Sequence, residues 1–88
     1  TRLGNTGLKV SKICLGCMGY GNPEIVPYDW ALRLEEALPH FQRAFELGIN
    51  FIDTADLYSN GESERIVGEA VKKFVKNRND VVIATKCY

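Results

Sequence analysis

The stretch Asn50-Phe51-Ile52-Asp53-Thr54-Ala55-Asp56-Leu57-Tyr58 decides how this chain is read. An apolar pair, Phe51-Ile52, runs directly into a carboxylate, and a phenol follows at Tyr58. A short apolar run that ends in polar groups is a strand giving way to a loop. In α/β proteins, ligands gather at the carboxyl ends of parallel strands. Asp53 therefore falls at a predicted strand end, with Tyr58 in the loop beyond it. Ser59-Asn60-Gly61-Glu62-Ser63-Glu64 then reads as a turn and a helix start.

Toward the C-terminus, Ile66, Val67, Ala70, Val71, Phe74 and Val75 form the apolar stripe of a helix predicted over about 61–76. Asn60 or Ser63 is its expected cap, and Glu62 and Glu64 favour its positive end. A polar turn, Asn77-Arg78-Asn79-Asp80, leads to Val81-Val82-Ile83-Ala84-Thr85. That segment is almost continuously apolar, as a parallel strand buried on both faces should be. It runs out in Lys86-Cys87-Tyr88.

Toward the N-terminus, Gly48 suits the position just past a helix predicted over 35–47, where Ala37, Leu38, Phe41, Ala44 and Phe45 recur at helical spacing. Pro39 fits that helix only in its first turn, and His40 belongs on its solvent face. Residues 22–33 form a loop carrying Pro23, Pro27, Tyr28 and Trp30. Its aromatics either line a pocket or cap the barrel edge. Gly16-Cys17-Met18-Gly19-Tyr20-Gly21 places three glycines in six residues. That density means special backbone angles or something approaching the backbone closely. The order is not the dinucleotide fingerprint G-x-G-x-x-G. Ser11 to Leu15 reads as a strand with Ile13 and Leu15 on one face, and residues 1–10 as a hairpin turning at Asn5-Thr6-Gly7.

Hairpin, strand, loop, helix, strand, loop, helix, strand is a parallel α/β plan with right-handed crossovers. Three parallel strands leave two sheet edges, so self-association through open edges is expected of this chain alone. Formal net charge is +0, from 11 basic and 11 acidic residues among 88. That balance gives no basis for binding nucleic acid or an anionic membrane. No apolar run approaches the ~20 residues of a membrane helix. Cys14, Cys17 and Cys87 are an odd number, and no secretory leader is visible. Both features point to a reducing, cytoplasmic setting. Cys14 and Cys17 form a C-x-x-C, but glycines follow where a redox motif would open a helix, and no partner ligands for a metal stand nearby.

Leu8-Lys9-Val10-Ser11, Leu15-Gly16-Cys17-Met18-Gly19, the run from Gly48 to Tyr58, Gly61-Glu62-Ser63-Glu64 and Ala84-Thr85-Lys86 together resemble the aldo-keto reductase superfamily, its fungal and microbial aryl-alcohol-dehydrogenase-like members above all. The resemblance runs through nearly the whole chain in order. It implies the N-terminal part of a (β/α)8 TIM barrel of about 250 residues or more, here a bottom hairpin, three parallel strands and two helices, with residues 1–88 a partial reductase domain. It also implies NADPH-dependent reduction of aldehydes or ketones, aryl aldehydes among them, to alcohols. The small-molecule carbonyl would be handled by an Asp, Tyr, Lys and His set. Asp53, Tyr58 and Lys86 match the first three; the family's His follows its fourth strand, and no residue of this sequence matches it. The loop after strand one and the strand-two Asp border the nicotinamide in that family, so Gly16, Cys17, Met18 and Asp53 are the implied cofactor contacts. The chemistry is coherent: a phenol holds its proton at neutral pH, and a neighbouring ammonium favours its release. Two other readings share these motifs, a non-catalytic cofactor-binding regulatory subunit and an inactive partial barrel.

Overall fold

Alternation along three short strands sets the layers of this protein. The computed structural model describes residues 1–24 and 29–87. Strands β1 (Cys14–Gly16), β2 (Phe51–Asp53) and β3 (Val82–Ala84) pair in parallel in the order β1-β2-β3. Their register aligns Leu15, Ile52 and Ile83 in one row. Ile52 is fully buried and the other two pack on the same core. Because side chains alternate along a strand, the rows Cys14-Phe51-Val82 and Gly16-Asp53-Ala84 face the other way.

Helices α1 (Leu34–Glu46) and α2 (Glu62–Phe74) cover the first face. Ala37 and Phe41 from α1 and Ile66, Val67, Ala70 and Val71 from α2 close over Ile52. Tyr20, Phe41, Phe45 and Phe74 continue this core as successive ring contacts, with centroids 5.1, 6.3 and 6.4 Å apart, in the range of favourable aromatic packing. Burial of β3 on both faces is not what the structure shows: its three residues are half-buried, because among the described residues the helices cover one face only. The first strand also begins later than expected. Ile13 precedes it and is 66% exposed, so it does not share the core with Leu15.

Helix α1 ends as Gly48 foretells. Gly48 adopts φ 87°, its N–H donates to Phe45 O at 3.1 Å, and the Ile49 N–H donates to Ala44 O at 3.0 Å, the paired bonds of a Schellman motif. Pro39 departs from expectation. It is the sixth residue of α1 and lies in the second turn. There it can give no N–H to the carbonyl of Glu35. Both residues are exposed, so water can take that carbonyl. Helix α2 is not capped by Asn60 or Ser63. Gly61 holds the cap position at φ 96°, and no side chain bonds the free amides. The Ser63 hydroxyl is drawn inward instead, as described below.

The N-terminal hairpin forms around an antiparallel Arg2–Lys9 bridge, with Leu3 N donating to Leu8 O at 2.9 Å. Its exit is tied to the start of β2: Ser11 N donates to Asn50 Oδ1 at 2.7 Å and Asn50 N to Ser11 Oγ at 3.1 Å. In the following loop, Pro27 and Tyr28 lie outside the described residues, while Trp30 is 54% exposed. Gly21 N donates to Leu32 O and Leu32 N to Gly19 O, both at 2.8 Å. These bonds pair the glycine segment with Leu32 at the end of the long loop. His40 is exposed, as expected, with Nδ1 3.1 Å from the Tyr20 hydroxyl. Burial, with a smaller contribution from Cys17, pushes the Tyr20 phenol up to about 12. Among the described residues no helix is long and apolar enough to cross a membrane.

Candidate active site

Past the ends of the strands the main chain stays stitched together. Cys17 N donates to Asp53 O at 2.8 Å, and Thr54 N to Ala84 O at 2.9 Å. The loops after β1, β2 and β3 therefore leave the sheet at one level. Alternation then sends Asp53 to the open face and Thr54 toward the helices.

Lys86, two residues beyond β3, folds back over β2. Its Nζ donates to Asp53 Oδ1 at 3.0 Å, to Asp53 Oδ2 at 2.9 Å and to Thr54 O at 2.8 Å. An ammonium has three N–H donors, and each of these has an acceptor. The same Nζ stands 4.9 Å from the ring centroid of Tyr58, within cation–π range. Asp53, Tyr58 and Lys86 are thus brought together. Hydrogen bonds to Asp53 chiefly hold the Lys86 ammonium above its ordinary value; partial loss of water opposes this and Tyr58 adds to it. The ion pair is 50% and 39% exposed, so solvent screens it and it adds little to stability. Its consequence is geometric: a cation is held beside a phenol ring.

A second network lies under this one. The Ser63 hydroxyl donates to Cys17 O at 2.7 Å and stands 2.8 Å from Thr54 Oγ1. A serine hydroxyl carries one proton. That proton goes to Cys17, so Thr54 must donate to Ser63. Both hydroxyls are buried. The relay joins the loop after β1, the end of β2 and the first turn of α2. Thr54 is its hub, since its carbonyl also holds Lys86. On the far side, Thr85 Oγ1 donates to Glu64 Oε2 at 2.7 Å, fixing the residue before Lys86 to α2. Sequence reasoning offered Ser63 only as a helix cap and gave Thr54 no role of its own. Strand alternation was the available signal: a hydroxyl one residue after Asp53 must point into the helical layer and find a partner there.

The implied cofactor residues divide. Gly16 is in register with Asp53, and a Cβ added to it would meet nothing within 4 Å. With Ala84 on the other side of Asp53, this row leaves room for a flat ring beside the carboxylate. Met18 is 49% exposed in the next loop. Cys17 is fully buried, and its thiol lies 3.6 Å from Leu15 O within the core. Only its backbone reaches the strand end, where Asp53 and Ser63 engage it. Burial, followed by Cys14 and Asp53, pushes the Cys17 thiol up to about 12. Burial also raises the Cys14 thiol, with Asp53 adding to the effect. Neither sulfur has the lowered value of a reactive thiol.

Comparison with known proteins gives a consistent picture. The model of the Aldo/keto reductase family matches residues 12–88. The chain is 58% identical over 87 residues to versiconal hemiacetal acetate reductase of Aspergillus parasiticus, covering 99% of this chain and 25% of that protein. It is 46% identical to a Schizosaccharomyces pombe protein named provisionally as an aryl-alcohol dehydrogenase, covering 98% and 24%. Among solved structures, the holo form of aldo-keto reductase AKR11C1 from Bacillus halodurans superposes with a TM-score of 0.78 at 37% identity, covering 99% of this chain and 25% of that one. The chain spans about a quarter of the length of the relatives it matches.

Proposed function

The chain belongs to the aldo/keto reductase family, and from that premise we propose that the full-length protein is an NADPH-dependent oxidoreductase that reduces aldehydes and ketones to alcohols. Its three strands and two helices are the corresponding part of that family's barrel. The observation that carries the reading is the Lys86 ammonium, gripped by both oxygens of Asp53 and set 4.9 Å from the Tyr58 ring.

NADPH, when bound, supplies the hydride. Tyr58 donates its phenolic proton to the carbonyl oxygen as negative charge develops there. Lys86 places positive charge beside the phenolate left behind and so favours the transfer. Asp53 and the Thr54 carbonyl hold the ammonium in place, so it need not reorganise during reaction. One hydride and one proton together convert the carbonyl to an alcohol. Asp53, with the bare backbone at Gly16, fits the edge of a flat nicotinamide ring, and Met18 and the Cys17 backbone complete that border.

Aryl carbonyl substrates suit the surroundings. Leu57, Met18 and Trp30 are exposed apolar side chains on the loops after β2 and β1, and such groups offer flat apolar contact. The Aspergillus relative takes its name from a hemiacetal acetate, and hemiacetals are masked carbonyls. The free thiols of Cys14 and Cys87 suit a cytoplasmic setting. The test is a panel of aromatic and aliphatic aldehydes offered to the full-length protein with NADPH or NADH. Alcohol formed in step with NADPH consumed, fastest for aromatic members, is the expected result. No turnover of any aldehyde or ketone with either nucleotide would end this reading.

A further inference from the structure

The backbone just after Tyr58 is unusual. Ser59 has φ 48° and ψ 37°, Asn60 has φ 56° and ψ 41°, and Gly61 has φ 96°. These are three consecutive left-handed residues, of which only the last is glycine. In that region an L-residue presses Cβ against its following carbonyl; asparagine tolerates this better than serine. Ser59 is also fully buried, and its hydroxyl has no hydrogen-bond partner among the described residues. Backbone strain and an unsatisfied polar group thus fall on one side chain. Residues of this kind persist where their surroundings over-determine them, and they gather at functional sites.

Gly21 supplies the over-determination. A Cβ built on Gly21 would collide with both Oγ and Cβ of Ser59, so the serine occupies the space a side chain at position 21 would need. Gly21 is itself anchored, its N–H donating to Leu32 O at 2.8 Å. The loop after β1 thus offers a fixed patch of bare backbone, and Ser59 wedges against it.

We propose that Ser59 is a positioning residue for Tyr58: wedged on Gly21, it clamps the left-handed turn that ends the 54–58 loop and so fixes where the phenol stands over Lys86. The clamp accounts for one glycine of the Gly16–Gly21 segment by close approach. It also explains why a strained, unsatisfied serine occupies a site where glycine would relieve both penalties. The role given to Tyr58 rests on the reductase reading; the clamp itself does not.

The experiment uses S59G, S59A, G21A and G21A/S59G in the full-length protein, with melting, amide exchange and steady-state kinetics as readouts. S59G should melt no lower than wild type, since glycine accepts the left-handed backbone. Even so, the amides of residues 55–60 should exchange about tenfold faster or more, as a loosened local unit does. For aldehyde reduction, kcat should fall about tenfold or more with KM little changed, because the proton donor is misplaced rather than the substrate unbound. S59A retains Cβ and should keep exchange near that of wild type while melting higher. G21A should be disruptive beside Ser59 and much milder in the S59G background. Unchanged exchange in S59G, faster exchange with unchanged kcat, or a G21A penalty that is the same in both backgrounds would each overturn the proposal. A wild-type protein with no turnover sinks the reductase reading alone, and exchange and melting then decide the clamp.

Discussion

Lys86 joins the two halves of the site, the carboxylate on β2 and the phenol beyond it. Its folded value lies above the ordinary 10.5. The stabilisation it gives is therefore fully present below 10.5 and lost as pH rises through the folded value. Lys86→Met should lower the melting temperature slightly at neutral pH, the exposed pair being screened. The gap from wild type should hold up to about pH 10 and close above it; a gap that widened with alkali would contradict this assignment. Ser63 is a different case, because its partners are buried. Ser63→Ala leaves the buried Thr54 hydroxyl unpaired and takes one of two donors from the Cys17 carbonyl, which keeps the Tyr20 N–H; it should cost about 1–3 kcal/mol in denaturant unfolding, and a neutral effect would mean that water replaces the relay. Asp53 and Tyr58 were picked out beforehand at a predicted strand end and Lys86 through the family resemblance, although each alone also suits a loop cap, a packed aromatic or a solvent-facing charge. Thr54, Ser59 and Ser63 were not legible as site residues. A hydroxyl serves equally as cap, turn residue or buried relay, and only packing of the loop after β1 against α2 selects among these roles.

At the scale of the element, local chemistry was read well and boundaries less well. Gly48 could be assigned from its neighbours because a Schellman turn is completed within a few residues. Pro39 could not, because the start of α1 depends on where the loop before it lands. As it stands, Pro39 leaves Glu35 O without an amide in the second turn. Pro39→Ala should restore that bond and raise stability by about 1–2 kcal/mol once the freer unfolded chain is allowed for. A lower melting midpoint would instead show that the proline shapes the helix surface beside Leu38 and Phe74. The cap of α2 was misassigned for a related reason: the helix begins at Glu62, so Ser63 lies inside it and its hydroxyl donates to Cys17 O.

Across the whole molecule, the parallel three-stranded plan and its two covering helices follow from apolar patterning together with turn and cap residues, whereas the closed barrel rests on family membership. The rows Cys14-Phe51-Val82 and Gly16-Asp53-Ala84 present one face of the sheet without a covering layer among the described residues, and β1 and β3 each have a single sheet neighbour there. Residues 1–88 expressed alone should therefore self-associate, eluting from a sizing column well ahead of a monomer, while the full-length protein elutes as a discrete species. A compact monomer that melts cooperatively would show that this layer pair is stable by itself. The central claim is that Tyr58 delivers the proton beside Lys86, and one substitution reaches it most directly. Single-turnover reduction of an aromatic aldehyde by full-length Tyr58→Phe, with nucleotide bound at saturation, should be slowed about 100-fold or more while the affinity for NADPH stays within a few-fold of wild type. Turnover at the wild-type rate with the nucleotide still bound would contradict that claim.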